Sequence, residues 1–136
     1  MTSDSPHELL NPQSWKPARG YSNGVAASGR TLFLGGVIGW NGNQEFQSDD
    51  FIAQTGQALR NIVDILAEGG AGPEHLVRLT WYITDCEEYV ARLRELVGVY
   101  RDTIGTHYPA MALVQVVRLV EPRAKVEIEA TAVVPS

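Results

Sequence analysis

The stretch KVEIEATAVV, Lys125–Val134, decides how the rest of the chain is read. Side chains alternate between faces along a strand, so Val126, Ile128, Ala130, Ala132 and Val134 share one face while Lys125, Glu127, Glu129 and Thr131 share the other. The first face suits a hydrophobic core. The second aims two carboxylates the same way, toward bulk water or toward a binding site. Taken alone, such a pair more often lies on a solvated sheet face.

Working outward, MALVQVVRLV (Met111–Val120) reads as a neighbouring strand, joined by the turn-like EPRA. VRLTWYIT (Val77–Thr84) alternates Val77, Leu79, Trp81 and Ile83 against Arg78, Thr80, Tyr82 and Thr84, the pattern of a half-buried strand. VAAS and TLFLGGVI, split by Gly29 and Arg30, predict a hairpin of strands near 24–28 and 31–38. Between these runs the period changes. Ile52, Thr55, Leu59, Ile62, Val63 and Leu66 form an amphipathic stripe, with Ser48 or Asp49 as N-cap and the Gly69-Gly70 pair as the stop. Asp85 and Glu88 open a second helix, with the stripe Tyr89, Leu93, Leu96, Val97, Tyr100 and Ile104. Gly98 inside that helix suggests tight packing there.

The order is strand, strand, helix, strand, helix, strand, strand, which predicts an α+β domain: a mixed sheet with both helices on one face. Strands 31–38 and 111–120 are apolar on both faces. Two helices cover only one face, so the other calls for a partner. The simplest partner is another copy of the chain, giving a homo-oligomer.

The 136 residues, 44% hydrophobic and 20% charged, have the size and make-up of one soluble domain, 1–136, of which 1–19 reads as an irregular arm. No apolar run suits a membrane span, and no basic start leads into an apolar core, so the cytoplasm is the expected location. Cys86 is the sole cysteine, and with the scattered His7, His75 and His107 it makes no zinc pattern; neither a metal nor a cofactor is expected. The net charge of −5 and the absence of a basic run weigh against a nucleic-acid partner. No phosphate loop, nucleophile elbow or metal-binding helix appears. His107 reads as a turn residue and Cys86 as a packed one. Trp40, in the loop GWNGNQ, is a candidate ligand contact, because a large aromatic in a glycine-rich loop must rest on something.

The series GYSNGV, LFLGGVIGW, QTGQALRNIVDILAEGGAG, VRLTWYITD, HYPAMALVQVVRLV and KVEIEATAVV resembles the RidA (YjgF) family of enamine and imine deaminases, over about Gly20 to Val134. The resemblance implies a chorismate-mutase-like α+β fold and a homotrimer with active sites in clefts between subunits. It assigns Tyr21 to the pocket wall and Gly36 to the segment whose backbone holds substrate, with Val37 replacing the usual glutamine. Glu127 takes the place of the residue that positions the attacking water, and Glu129 a structural or interface role. Where family enzymes carry PARS, whose arginine forks the substrate carboxylate, this chain has PAMA: Met111 stands at the arginine position, followed by Ala112 and Leu113. A thioether cannot hold a carboxylate. Arg94 falls where some members have an asparagine near the neighbouring subunit's site, and Arg118 and His107 lie close in sequence to the cleft strand.

The function implied is hydrolytic deamination of an imine or enamine bearing an apolar or aromatic substituent. The alternative is a non-catalytic trimer that binds a small molecule. A ribonuclease role fits the acidic charge poorly.

Overall fold

The computed structural model describes residues 5–136. Its elements run β1 (Glu8–Leu10), β2 (Gly24–Ala26), β3 (Arg30–Phe33), β4 (Val37–Ile38), α1 (Phe51–Glu68), a 3₁₀ turn (Pro73–His75), β5 (Leu76–Ile83), α2 (Cys86–Ala91), α3 (Leu93–Thr103), β6 (Ala110–Gln115) and β7 (Val126–Val134). The carboxylate-bearing strand β7 is central. β7 pairs antiparallel with β3 and β4 along one side and with β5 along the other. β6 lies beyond β5 and runs parallel to it, completing a mixed five-stranded sheet. A parallel pair needs a crossover, and α2 and α3 supply it.

Burial separates the faces of β7 as alternation requires. Val126, Ile128, Ala130 and Ala132 are all at 2% exposure or less and pack with Leu59, Ile62 and Leu66 of α1. Glu127 and Thr131 are half-buried and Glu129 is exposed on the side away from the helices. α1 lies against β7 and β4, and α3 packs on α1. α1 ends as its composition requires, with Gly70 in the left-handed region at φ 74°.

Several local expectations change. The hairpin between 24–28 and 31–38 does not form: β2 pairs with β1, so the arm expected to be irregular contributes a strand. Gly29 is the reason the chain crosses instead of turning back, since a Cβ there would sit 2.0 Å from the Val134 carbonyl oxygen. The strand 31–38 breaks in two. Phe33 pairs with Thr131 and Val37 with Ile128, so four steps on one strand match three on the other. This bulge at Gly35-Gly36 resets the alternation and turns Val37 toward the helices. The second helix divides at Arg92 (φ −112°, ψ 23°), whose guanidinium is taken up by Asp50, Glu88 and Glu95. The strand 111–120 stops at Gln115, whose side-chain oxygen accepts from the Cys86 N–H at 2.7 Å, and Leu119 folds back onto Ile38 and Ala124. Gly98 has nothing within 4 Å of a virtual Cβ; the closely packed helical glycine is Gly56 of α1, where a Cβ would lie 3.2 Å from Val99. The N-cap of α1 is Asp50, which accepts from the Ala53 N–H at 3.0 Å. Ser48 and Asp49, the expected caps, instead accept from the Asp50 N–H and from Arg123.

Candidate functional site

The polar residues of α1 shape the first part of the site. Gln54, 1% exposed, donates to the Ser48 and Arg123 carbonyls and accepts from the Lys125 N–H. Asn61 donates to the Ile38 and Trp40 carbonyls at 3.2 and 2.7 Å. Gly39 lets this loop close on the helix, because a Cβ would stand 2.4 Å from the Gln54 carbonyl oxygen. The result is a fixed path from Gly36 to Asn41. On it Gly36 meets Glu127 so closely that a Cβ would lie 2.4 Å from the carboxylate oxygen Oε2. Glu127 is thus held against the Gly36 backbone, on the sheet face opposite the helices. Its neighbour Glu129 accepts from the Tyr82 hydroxyl at 2.9 Å, and that hydrogen bond raises the Tyr82 pKa. Trp40 packs on Phe46, with ring centroids 5.8 Å apart, beside the small cluster of Ile38, Leu119 and Ala124.

The second part lies on the other face. β6 pairs Leu79 with Met111 and Trp81 with Leu113, so Met111 and Leu113 point to the helix side. There, between α2, α3 and the sheet edge, is a cavity of about 650 Å³. Its walls include Met111, Leu113, Trp81, Tyr89, Leu96 and Tyr100. Tyr100 stacks on Tyr108 at 5.3 Å and donates from its hydroxyl to the His107 carbonyl at 2.6 Å. Burial pushes the Tyr100 hydroxyl well up and raises that of Tyr89, so both stay protonated and neutral. The Trp81 indole nitrogen is buried in this wall with no hydrogen-bond partner among the described residues. At the rim, Tyr21 and Arg19 sit on a segment tied to β6: the Ser22 N–H donates to the Pro109 carbonyl at 3.0 Å, and Ser22 bridges to Ala110.

Within one protomer the residues singled out from sequence therefore form two groups. Tyr21, Met111 and Leu113 meet at the cavity. Glu127, Gly36 and Trp40 gather around the opposite face and its loop. Val37 joins neither, because the bulge places it against the main core. Arg94 is exposed and outside the cavity wall, as is Arg118. His107 is 2% exposed, with its Nε2 2.7 Å from the Leu76 carbonyl, an anchoring contact. Arg19 also lines the cavity, in a segment with no periodicity where closeness to Tyr21 is its only sequence signal. Among the described residues no group of three or more His, Cys, Asp or Glu is arranged to hold a metal. No described helix is long and apolar enough to cross a membrane.

A mixed α+β sheet with a ligand-sized cavity at its edge defines a small-molecule-binding architecture. The family model described as Endoribonuclease L-PSP matches residues 12–134. A RutC family protein of Aquifex aeolicus is 34% identical over 127 residues, covering 93% of this chain and 98% of the relative. Protein DfrA of Myxococcus xanthus is 36% identical over 128 residues, covering 92% and 93%. The crystal structure of YyfB, a Rid-family protein of unknown function from Yersinia pestis, matches with a TM-score of 0.84 at 33% identity, covering 94% of this chain and 98% of that one. The chain belongs to the RidA/YjgF family. Membership supports a small-molecule-binding or deaminase role.

Proposed function

We propose that this chain is a homotrimeric deaminase that hydrolyses imines or enamines carrying an apolar or aromatic substituent. The observation that carries the reading is the cavity: where the family resemblance places a carboxylate-gripping arginine, Met111 and Leu113 extend an aromatic and aliphatic wall. The chemistry asks little of the protein. A protonated imine is electrophilic, so a water held by Glu127 and aimed at the carbon is sufficient, with the Gly36 backbone orienting the nitrogen. Water adds to the carbon, a proton passes to nitrogen, and ammonia leaves as the carbonyl forms.

Glu127 and the cavity lie on opposite faces of one sheet, so this reading needs a second protomer to bring its Glu127 to the neighbour's cavity. Phe33, 81% exposed, and Val114, 46% exposed, supply an apolar surface for that contact on the Glu127 face. The same separation favours the second reading, a binding trimer without catalysis. Ribonuclease action is the weaker reading for a chain of net charge −5 with no basic run. Ammonia release from a panel of amines oxidised in situ tests the proposal. Turnover of aromatic imines is expected; tight binding without ammonia would favour the binder.

A further inference from the structure

We infer that the cavity takes a ligand with an apolar or aromatic body and an anionic end, the anion being held at the rim by Arg19. The inference rests on the cavity being the ligand site and adds the charge and orientation of what enters it. Among the described residues that form the wall, Arg19 alone has a charged side chain. The chain as a whole has 16 acidic against 11 basic residues, so a cavity whose described wall carries a cation and no carboxylate departs from its surroundings. Arg92, at the junction of α2 and α3, is committed: it pairs with Asp50, Glu88 and Glu95. Arg19 has no carboxylate partner among the described residues and stands exposed, free to meet a ligand. Its segment is not adrift, because Ser22 ties it to the start of β6 through the Pro109 carbonyl and donates its hydroxyl to the Tyr108 carbonyl at 2.5 Å.

The interior imposes the complementary requirement. Tyr100 and Tyr108 are stacked at an interplanar angle of 9°, and with Leu96 and Met111 they leave no counter-charge for an anion driven inward. A charged group must therefore remain at the mouth while the apolar body fills the cavity. This orientation differs from a carboxylate gripped at position 111. A ligand as small as 2-aminoacrylate would leave the apolar walls unfilled and so bind weakly.

Calorimetric binding of three probes of equal skeleton separates the possibilities: 3-phenylpropionate, 3-phenylpropan-1-ol and 3-phenylpropylammonium. Wild type should bind the anion best and the cation worst. Arg19→Gln should weaken the anion roughly three- to tenfold and leave the alcohol unchanged, with Arg19→Lys recovering part of the loss. The anion's advantage should also shrink as salt is raised. Unchanged alcohol binding shows that the variant keeps its cavity. Equal affinity for the three probes, or an anion preference that survives Arg19→Gln, would overturn this inference while leaving the cavity as the ligand site. Failure of all three to bind wild type, or binding that persists when Leu113→Trp fills the cavity, would overturn the cavity reading as well.

Discussion

Glu127 and Glu129 leave the same face of β7, yet their surroundings differ. Glu129 is engaged by the Tyr82 hydroxyl, whereas Glu127 rests against the glycine that leaves room for its carboxylate. Strand geometry separates them by ~7 Å, so one water cannot serve both. Glu127→Gln is therefore expected to abolish ammonia release while Glu129→Gln keeps most of it; equal loss in two folded variants would contradict the assignment. In the proposed reaction Met111 sets the substrate class. Wild type should process 2-aminoacrylate poorly, and Met111→Arg should raise kcat/KM for it about tenfold to a hundredfold, the worth of a charge-assisted fork. Efficient turnover by wild type, or no change in the folded variant, would count against this role.

At the scale of elements, α1 carries the site without contributing a catalytic group. Its QTGQALRN segment buries Thr55, Ala58 and Leu59 in the core while Gln54 and Asn61 hold the loop that bears Gly36 and Trp40. The helix start is held by Asp50, whose pKa the Arg92 side chain depresses most, aided by the Ala53 N–H. A carboxylate with a lowered folded pKa stabilises the fold above its unfolded value and loses that contribution as pH falls through the folded one. Asp50→Ala should cost about 1 kcal/mol at neutral pH as a lost N-cap. The difference from wild type should narrow as pH falls below the ordinary aspartate value of 3.8, as followed by urea melts across pH. A gap independent of pH would mean that the charge has no part in it. These elements show where sequence sufficed. Alternation placed the core face of β7, and the 3.6-residue stripe found α1, because burial follows period. The bulge at Gly35-Gly36 was not visible, since whether a glycine pair extends or kinks a strand depends on the partner register. The break at Arg92 likewise depends on Asp50, distant in sequence. Met111 and Leu113 were legible as site residues only through the resemblance, whereas Arg19 required the cavity itself.

For the whole molecule, the separation of Glu127 from the cavity makes assembly part of the proposed mechanism. If one subunit's carboxylate serves the next subunit's cavity, two chains defective in different halves should repair each other. Glu127→Gln removes the carboxylate, and Leu113→Trp fills the cavity while leaving Glu127 intact. Each variant alone should form trimers by sedimentation and release no ammonia from an aromatic imine that wild type hydrolyses. The decisive measurement is the activity of trimers co-expressed from both variants. Random mixing leaves about a quarter of the subunit boundaries with an intact carboxylate facing an intact cavity, so roughly a quarter of wild-type ammonia release is expected. Mixed trimers as inactive as their parents would contradict a site shared between subunits.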